Sequence, residues 1–102
     1  NSEFFSNMKR SGYIFNMSRG PVINEIDLEK ALEDEKIAGA GLDVTNIEPL
    51  PTNSKLLKYD NVLITPHSLC WTDECFNDIA TEAISSILNF IDKKPIFNQV
   101  NK

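Results

Sequence analysis

The chain has 102 residues, 41% of them hydrophobic and 25% charged, and carries a net charge of −5. That length supports one small domain and is too short for two, and the composition is that of an ordinary globular fold. Ten basic residues scattered through an acidic chain argue against a nucleic-acid surface, and no apolar run approaches the ~20 residues that span a bilayer.

In chain order, Asn1–Lys9 predicts a short helix already in progress, capped by Ser2, with Glu3 in its first turn and Phe4, Phe5 and Met8 as one apolar stripe. A natural N-terminus rarely reads this way, so the expectation is a piece of a longer protein. Gly12–Met17 predicts a buried strand ending at the Ser18-Arg19-Gly20-Pro21 loop. Asn24 is the expected N-cap of a helix that runs through Ile26, Leu28, Ala31 and Leu32 to about Glu35. Ile37–Val44 predicts a second strand, its small residues permitting close packing. Strand, helix, strand in this order is a βαβ crossover, right-handed by default. A polar loop over 45–60 follows, with Leu56 and Leu57 anchoring one helical turn.

Asn61–Thr65 predicts the third strand, closed by Pro66-His67. From Thr72 to Lys94 runs the clearest helix. Thr72 caps it, Asp73 and Glu74 fill its first turn, Lys93 and Lys94 its last, and Pro95 stops it. Its apolar positions, from Cys75/Phe76 to Ile91, commit one face to packing. Cys70 and Cys75 form neither a disulfide framework nor a C-x-x-C motif, and no signal-peptide pattern opens the chain. A reducing, cytoplasmic setting is the simplest reading.

Three residues stand out together. Arg19, Glu48 and His67 each follow a strand-like run, and a parallel sheet brings those ends to a common edge, where open α/β sheets bind their ligands. Arg19 offers a planar fork for a carboxylate. His67, the only histidine, can give or take a proton, and Glu48, if close, would hold the ring's tautomer. Singly, each has a bland reading: a hydrogen-bonded structural histidine, a solvated arginine, a Glu-Pro turn. Competing motifs are weaker. Gly39-x-Gly41 lacks the third glycine of a dinucleotide fingerprint and leads into a strand. His67, Cys70 and Cys75 supply three soft ligands where a structural zinc needs four, so no metal is expected. Nothing completes a Cys–His nucleophilic pair.

At Met8–Gly20, Lys36–Val44 and Asn61–His67 the chain resembles the C-terminal part of the NAD-dependent D-2-hydroxyacid dehydrogenases, and the likeness covers nearly the whole chain. The resemblance implies a partial Rossmann-like, doubly wound parallel α/β sheet of about three strands, with a crossover helix and a long C-terminal helix. It makes residues 1–102 the C-terminal portion of the NAD-binding domain, with 91–102 as a tail toward an absent substrate domain. It implies that Arg19 holds the substrate carboxylate and carbonyl, that His67 is the proton donor in keto-acid reduction, and that Glu48 partners the histidine. Asp43 would face the nicotinamide end of NAD, with NADP as the alternative. The backbone of Met17, Ser18 and Arg19 and of His67, Ser68, Leu69 and Cys70 would line the cofactor.

Glutamate at position 48 fits hydroxy-acid chemistry better than that of formate dehydrogenases, which carry glutamine there. Ser68-Leu69-Cys70-Trp71 departs from the small-residue stretch of many members, and Trp71 is either a pocket wall near the substrate or an apolar anchor at a helix start. The resemblance places the family's Gly-x-Gly-x-x-Gly turn and most of the substrate domain upstream of Asn1. It also implies a small 2-hydroxy or 2-keto acid as substrate, a homodimer in the intact enzyme, and neither nucleic-acid nor membrane partners. The isolated chain is expected to be inactive, and two other readings stay open: a truncated non-enzymatic module, and an NAD-sensing corepressor on the same fold.

Overall fold

The computed structural model describes residues 1–101. They divide into two compact units, Asn1–Leu69 and the segment from Cys70 onward. In the first unit, α1 (Ser2–Ser6) is capped one residue earlier than expected: Asn1 Oδ1, not Ser2, accepts from the Phe4 amide at 3.0 Å. Phe5 is buried while Phe4 stays exposed, edge-on to it with ring centroids 5.7 Å apart, so the apolar stripe narrows to Phe5 and Met8.

β1 (Tyr13–Asn16) is not buried on both sides as the apolar run suggested. Successive side chains of a strand point to opposite faces, and here Ile14 and Asn16 turn inward while Tyr13 and Phe15 lie exposed. A 3-10 turn at Gly20–Val22 leads to α2 (Glu25–Glu33). Asn24 caps α2 as expected, its Oδ1 accepting from the Asp27 amide at 3.1 Å. Leu28, Ala31 and Leu32 face the core and Ile26 faces out. The helix stops short of Glu35, which turns the chain with φ 50, a left-handed residue of the kind that ends helices.

β2 (Gly39–Leu42) is buried throughout. The Phe15 ring lies across Gly41, so a Cβ there would meet Phe15 Cδ1 at 2.5 Å. The loop that follows holds a 3-10 turn at Lys55–Lys58 in which Leu56 alone is the anchor, since Leu57 is exposed. β3 (Val62–Ile64) completes a parallel sheet of order β1-β2-β3, with Tyr13 opposite Gly39 and Ala40 opposite Val62. Phe5, Leu28, Ala31, Leu32, Ile37, Ala40, Leu42 and Leu56 form the core, with Ile14, Val62 and Ile64 of the sheet packed against it.

The second unit contains one element, α3 (Asp73–Ile91), capped by Thr72 Oγ1, which accepts from the Cys75 amide at 3.1 Å. It ends at Ile91, so Lys93 and Lys94 lie beyond its last turn, where Lys94 Nζ donates to Asp92 at 2.8 Å. None of its residues is buried. An apolar stripe records a preference for burial, and among the described residues of this unit no second element meets it. No helix among the described residues is long and apolar enough to cross a membrane.

Candidate active site

Because all three strands run parallel, their C-terminal ends open on one edge, and the loops leaving that edge carry Arg19, Glu48 and His67. The structure joins two of the three directly. His67 Nδ1 and Glu48 Oε2 lie 2.8 Å apart, and Glu48 Oε1 accepts from the Thr45 amide at 3.0 Å. The His67 hydrogen bond, then the Thr45 amide, hold the Glu48 carboxyl below its ordinary range against the opposing pull of desolvation, with the charges of His67 and Arg19 adding to the effect. An ionised carboxylate can only accept, so Nδ1 is the donor and Nε2 is the ring nitrogen left to work.

His67 sits in the left-handed region at φ 54, uncommon for any residue but glycine, and its amide donates to the Thr65 carbonyl at 3.0 Å. Asp43 clamps this turn. Its Oδ1 accepts from the Thr65 hydroxyl and from the Ser68 amide at 2.9 Å, and its Oδ2 from the Leu69 amide at 3.2 Å. Burial alone would raise the Asp43 carboxyl, but the Thr65, Ser68 and Leu69 hydrogen bonds and the His67 charge together outweigh it and lower it. The residue expected to face a cofactor therefore also holds the loop that presents His67.

Arg19 is exposed on extended backbone, its Nη1 donating to the Ser18 carbonyl at 2.6 Å. Its charge is felt at Glu48, and among the described residues it joins no salt bridge. Gly20 lets the Arg19 turn pack against the Thr45 loop, because a Cβ at that position would run into the Thr45 carbonyl. A cavity of about 500 Å³ opens at the Glu48–His67 pair, lined by Asp43, Thr45, Glu48, Pro49, Leu50, Ile64, Thr65, Pro66 and His67, and Arg19 is not part of that lining. Met17 and Ser18 line a separate groove of about 740 Å³ with Phe4, Ile14, Phe15 and Val22 among its walls.

Cys70 and Trp71 are exposed and belong to the second unit. Among the described residues no group of three or more His, Cys, Asp or Glu side chains gathers as a metal site. The sequence reading missed Asn16, Thr45 and Thr65, which supply hydrogen bonds that shape the loops. An asparagine inside the apolar run Tyr13–Met17 was the one available signal.

Both depressed carboxyls make a statement about acid. Their folded values lie below the ordinary 3.8 of Asp43 and 4.5 of Glu48, so the stability they contribute is complete above those values and is lost as pH falls through the depressed ones. Urea midpoints measured between about pH 6 and pH 3 should fall, and Asp43→Asn should flatten the low end of that curve. An unchanged slope in the variant would show that the Asp43 clamp is not formed in solution.

A parallel sheet with a carboxylate–imidazole pair and an unbridged guanidinium at its C-terminal edge defines a Rossmann-like α/β domain with the means for proton transfer. Residues 1–68 match the family described as D-isomer specific 2-hydroxyacid dehydrogenase, NAD binding domain, and the chain belongs to that family. It is 43% identical over 96 residues to the glyoxylate reductase/hydroxypyruvate reductase of Homo sapiens, a match covering 94% of this chain and 29% of the human protein. The chain thus spans less than a third of that relative's length. Among solved structures it is similar to a D-isomer specific 2-hydroxyacid dehydrogenase from Xanthobacter autotrophicus in complex with NADPH and MES. That match has a TM-score of 0.76 and 36% identity over 99% of this chain and 41% of that one. A probable 2-hydroxyacid dehydrogenase from Rhizobium etli, in complex with NADP, HEPES and L(+)-tartaric acid, gives a TM-score of 0.80 and 30% identity over 99% and 33% of the two chains.

Proposed function

We propose that this chain carries the carboxylate-binding and proton-transfer residues of an NAD(P)-dependent reductase of small 2-keto acids, acting in reverse as a D-2-hydroxyacid dehydrogenase. The observation that carries the reading is the 2.8 Å His67–Glu48 pair on the edge that also bears the unbridged Arg19. The residues present suit a nicotinamide. Phe15 and Met17 offer exposed apolar surface to a ring, and Asp43 Oδ2, with one hydrogen bond accepted, keeps capacity for a carboxamide N–H. When bound, the cofactor supplies the hydride.

The chain's own residues do the rest. Arg19 grips the substrate carboxylate through two parallel N–H bonds and fixes the keto carbon. His67 delivers the Nε2 proton to the carbonyl oxygen as that oxygen becomes a hydroxyl, and Glu48 keeps the ring oriented and balances its charge. In the oxidative direction Nε2 receives the proton instead. The name of the human relative points to glyoxylate and hydroxypyruvate as first substrates.

In the full-length protein, nicotinamide-linked reduction of these acids tests the reading. Arg19→Gln should raise the keto-acid KM by about 10–100-fold, the worth of a lost charge-assisted pair, and leave the cofactor KM where it was. A protein that binds the dinucleotide and reduces no 2-keto acid would overturn it.

A further inference from the structure

The Asn16 side chain is tied to the Arg19 turn by three hydrogen bonds. It is only 4% exposed, at the end of β1, in a run otherwise aromatic and aliphatic. A buried primary amide costs free energy unless its donor and acceptor are both used. Here they are. Oδ1 accepts from the Ser18 amide and the Ser18 hydroxyl, each at 3.2 Å, and Nδ2 donates to the Arg19 carbonyl at 2.9 Å. The Arg19 carbonyl also accepts from the Val22 amide at 3.1 Å, which starts the 3-10 turn.

We infer that Asn16 is the positioning residue for Arg19: its side-chain amide ties the main chain on both sides of that arginine to the sheet edge. The inference rests on the role proposed for Arg19. The frame is anchored, because the Asn16 carbonyl itself accepts from the Asp43 amide at 2.9 Å, just past the end of β2 on the segment that leads to Glu48. Arg19's exposed side chain makes one hydrogen bond, to its own neighbour, so its Cα is held by Asn16 and not by the guanidinium. Only an asparagine suits the place. Aspartate is the same shape, yet it would set a second acceptor against the Arg19 carbonyl and bury a charge.

The test is a double-mutant cycle in the full-length protein with glyoxylate as the varied substrate. Asn16→Asp should raise the glyoxylate KM by about tenfold or more, since a misplacement on the order of 1 Å can cost up to about 100-fold. The NADH KM and the NADH affinity should move much less than the glyoxylate KM, a split that general destabilisation does not produce. In an Arg19→Gln background the same change should add nothing further. If Arg19→Gln alone leaves the KM unmoved, the functional reading fails and this inference with it. If Arg19→Gln raises the KM and Asn16→Asp multiplies it by the same factor in both backgrounds, Asn16 acts independently of Arg19 and the inference is overturned. Should Asn16→Asp lose NADH binding through misfolding, Ser18→Ala decides. Ser18 is exposed, the change removes its hydroxyl bond to Asn16, and the glyoxylate KM should rise about two- to threefold. An unchanged KM in that variant overturns the inference.

Discussion

Replacing His67 with glutamine should lower kcat for 2-keto acid reduction by about 10²–10⁴-fold, the usual worth of a positioned general acid. The keto-acid KM should move little, because the role proposed for binding the carboxylate is Arg19's, and the fold should be retained because the His67 side chain is 41% exposed. Glu48 occupies Nδ1, so Nε2 is the only nitrogen that can deliver the proton, and glutamine has no titrating group to replace it. Stopped-flow oxidation of NADH by hydroxypyruvate measures the step. A glutamine variant turning over at the wild-type rate would mean the proton comes from elsewhere.

Gly20→Ala is the second large effect, and it acts through space. The added Cβ would be driven into the Thr45 carbonyl and to 2.6 Å from the Asn46 amide nitrogen. Both neighbours are main chain and neither can rotate away. Both are also pinned, the Thr45 amide to Glu48 and the Asn46 amide to Glu25. Overpacking of this kind costs about 1–3 kcal/mol. Relief requires the Arg19 turn and the Glu48 loop to part, so kcat/KM should fall further than the loss of folded protein explains. Urea denaturation with steady-state kinetics checks both. An alanine variant as stable and as active as the wild type would show that the two loops do not pack here.

Much of the fold was legible because its signals are local. Asn24 and Thr72 cap their helices as read, and the three strands fall inside the runs that predicted them. The errors came where a local pattern meets a tertiary decision. Phe4, Ile26 and Leu57 are apolar residues in the right periodicity that face outward, and nothing in their own segments says which side the core lies on.

Of the site, Glu48 and His67 were legible as a pair because a parallel sheet gathers strand ends. The supporting hydrogen bonds were not. Asp43 reaches Thr65, Ser68 and Leu69 more than twenty positions further along the chain, contacts set by register between β2 and β3 that composition does not record. Asn16 is not legible in the sequence, because an amide within a strand-like run looks like an imperfection until its partners are seen.

The most direct measurement is the ¹⁵N spectrum of the His67 ring, whose signals need no assignment because the chain has one histidine. If Glu48 holds the ring as the 2.8 Å contact implies, the neutral imidazole carries its proton on Nδ1, and Glu48→Gln weakens that preference. A neutral wild-type ring protonated on Nε2, with Nδ1 bare, would contradict the arrangement on which the proposed proton transfer depends.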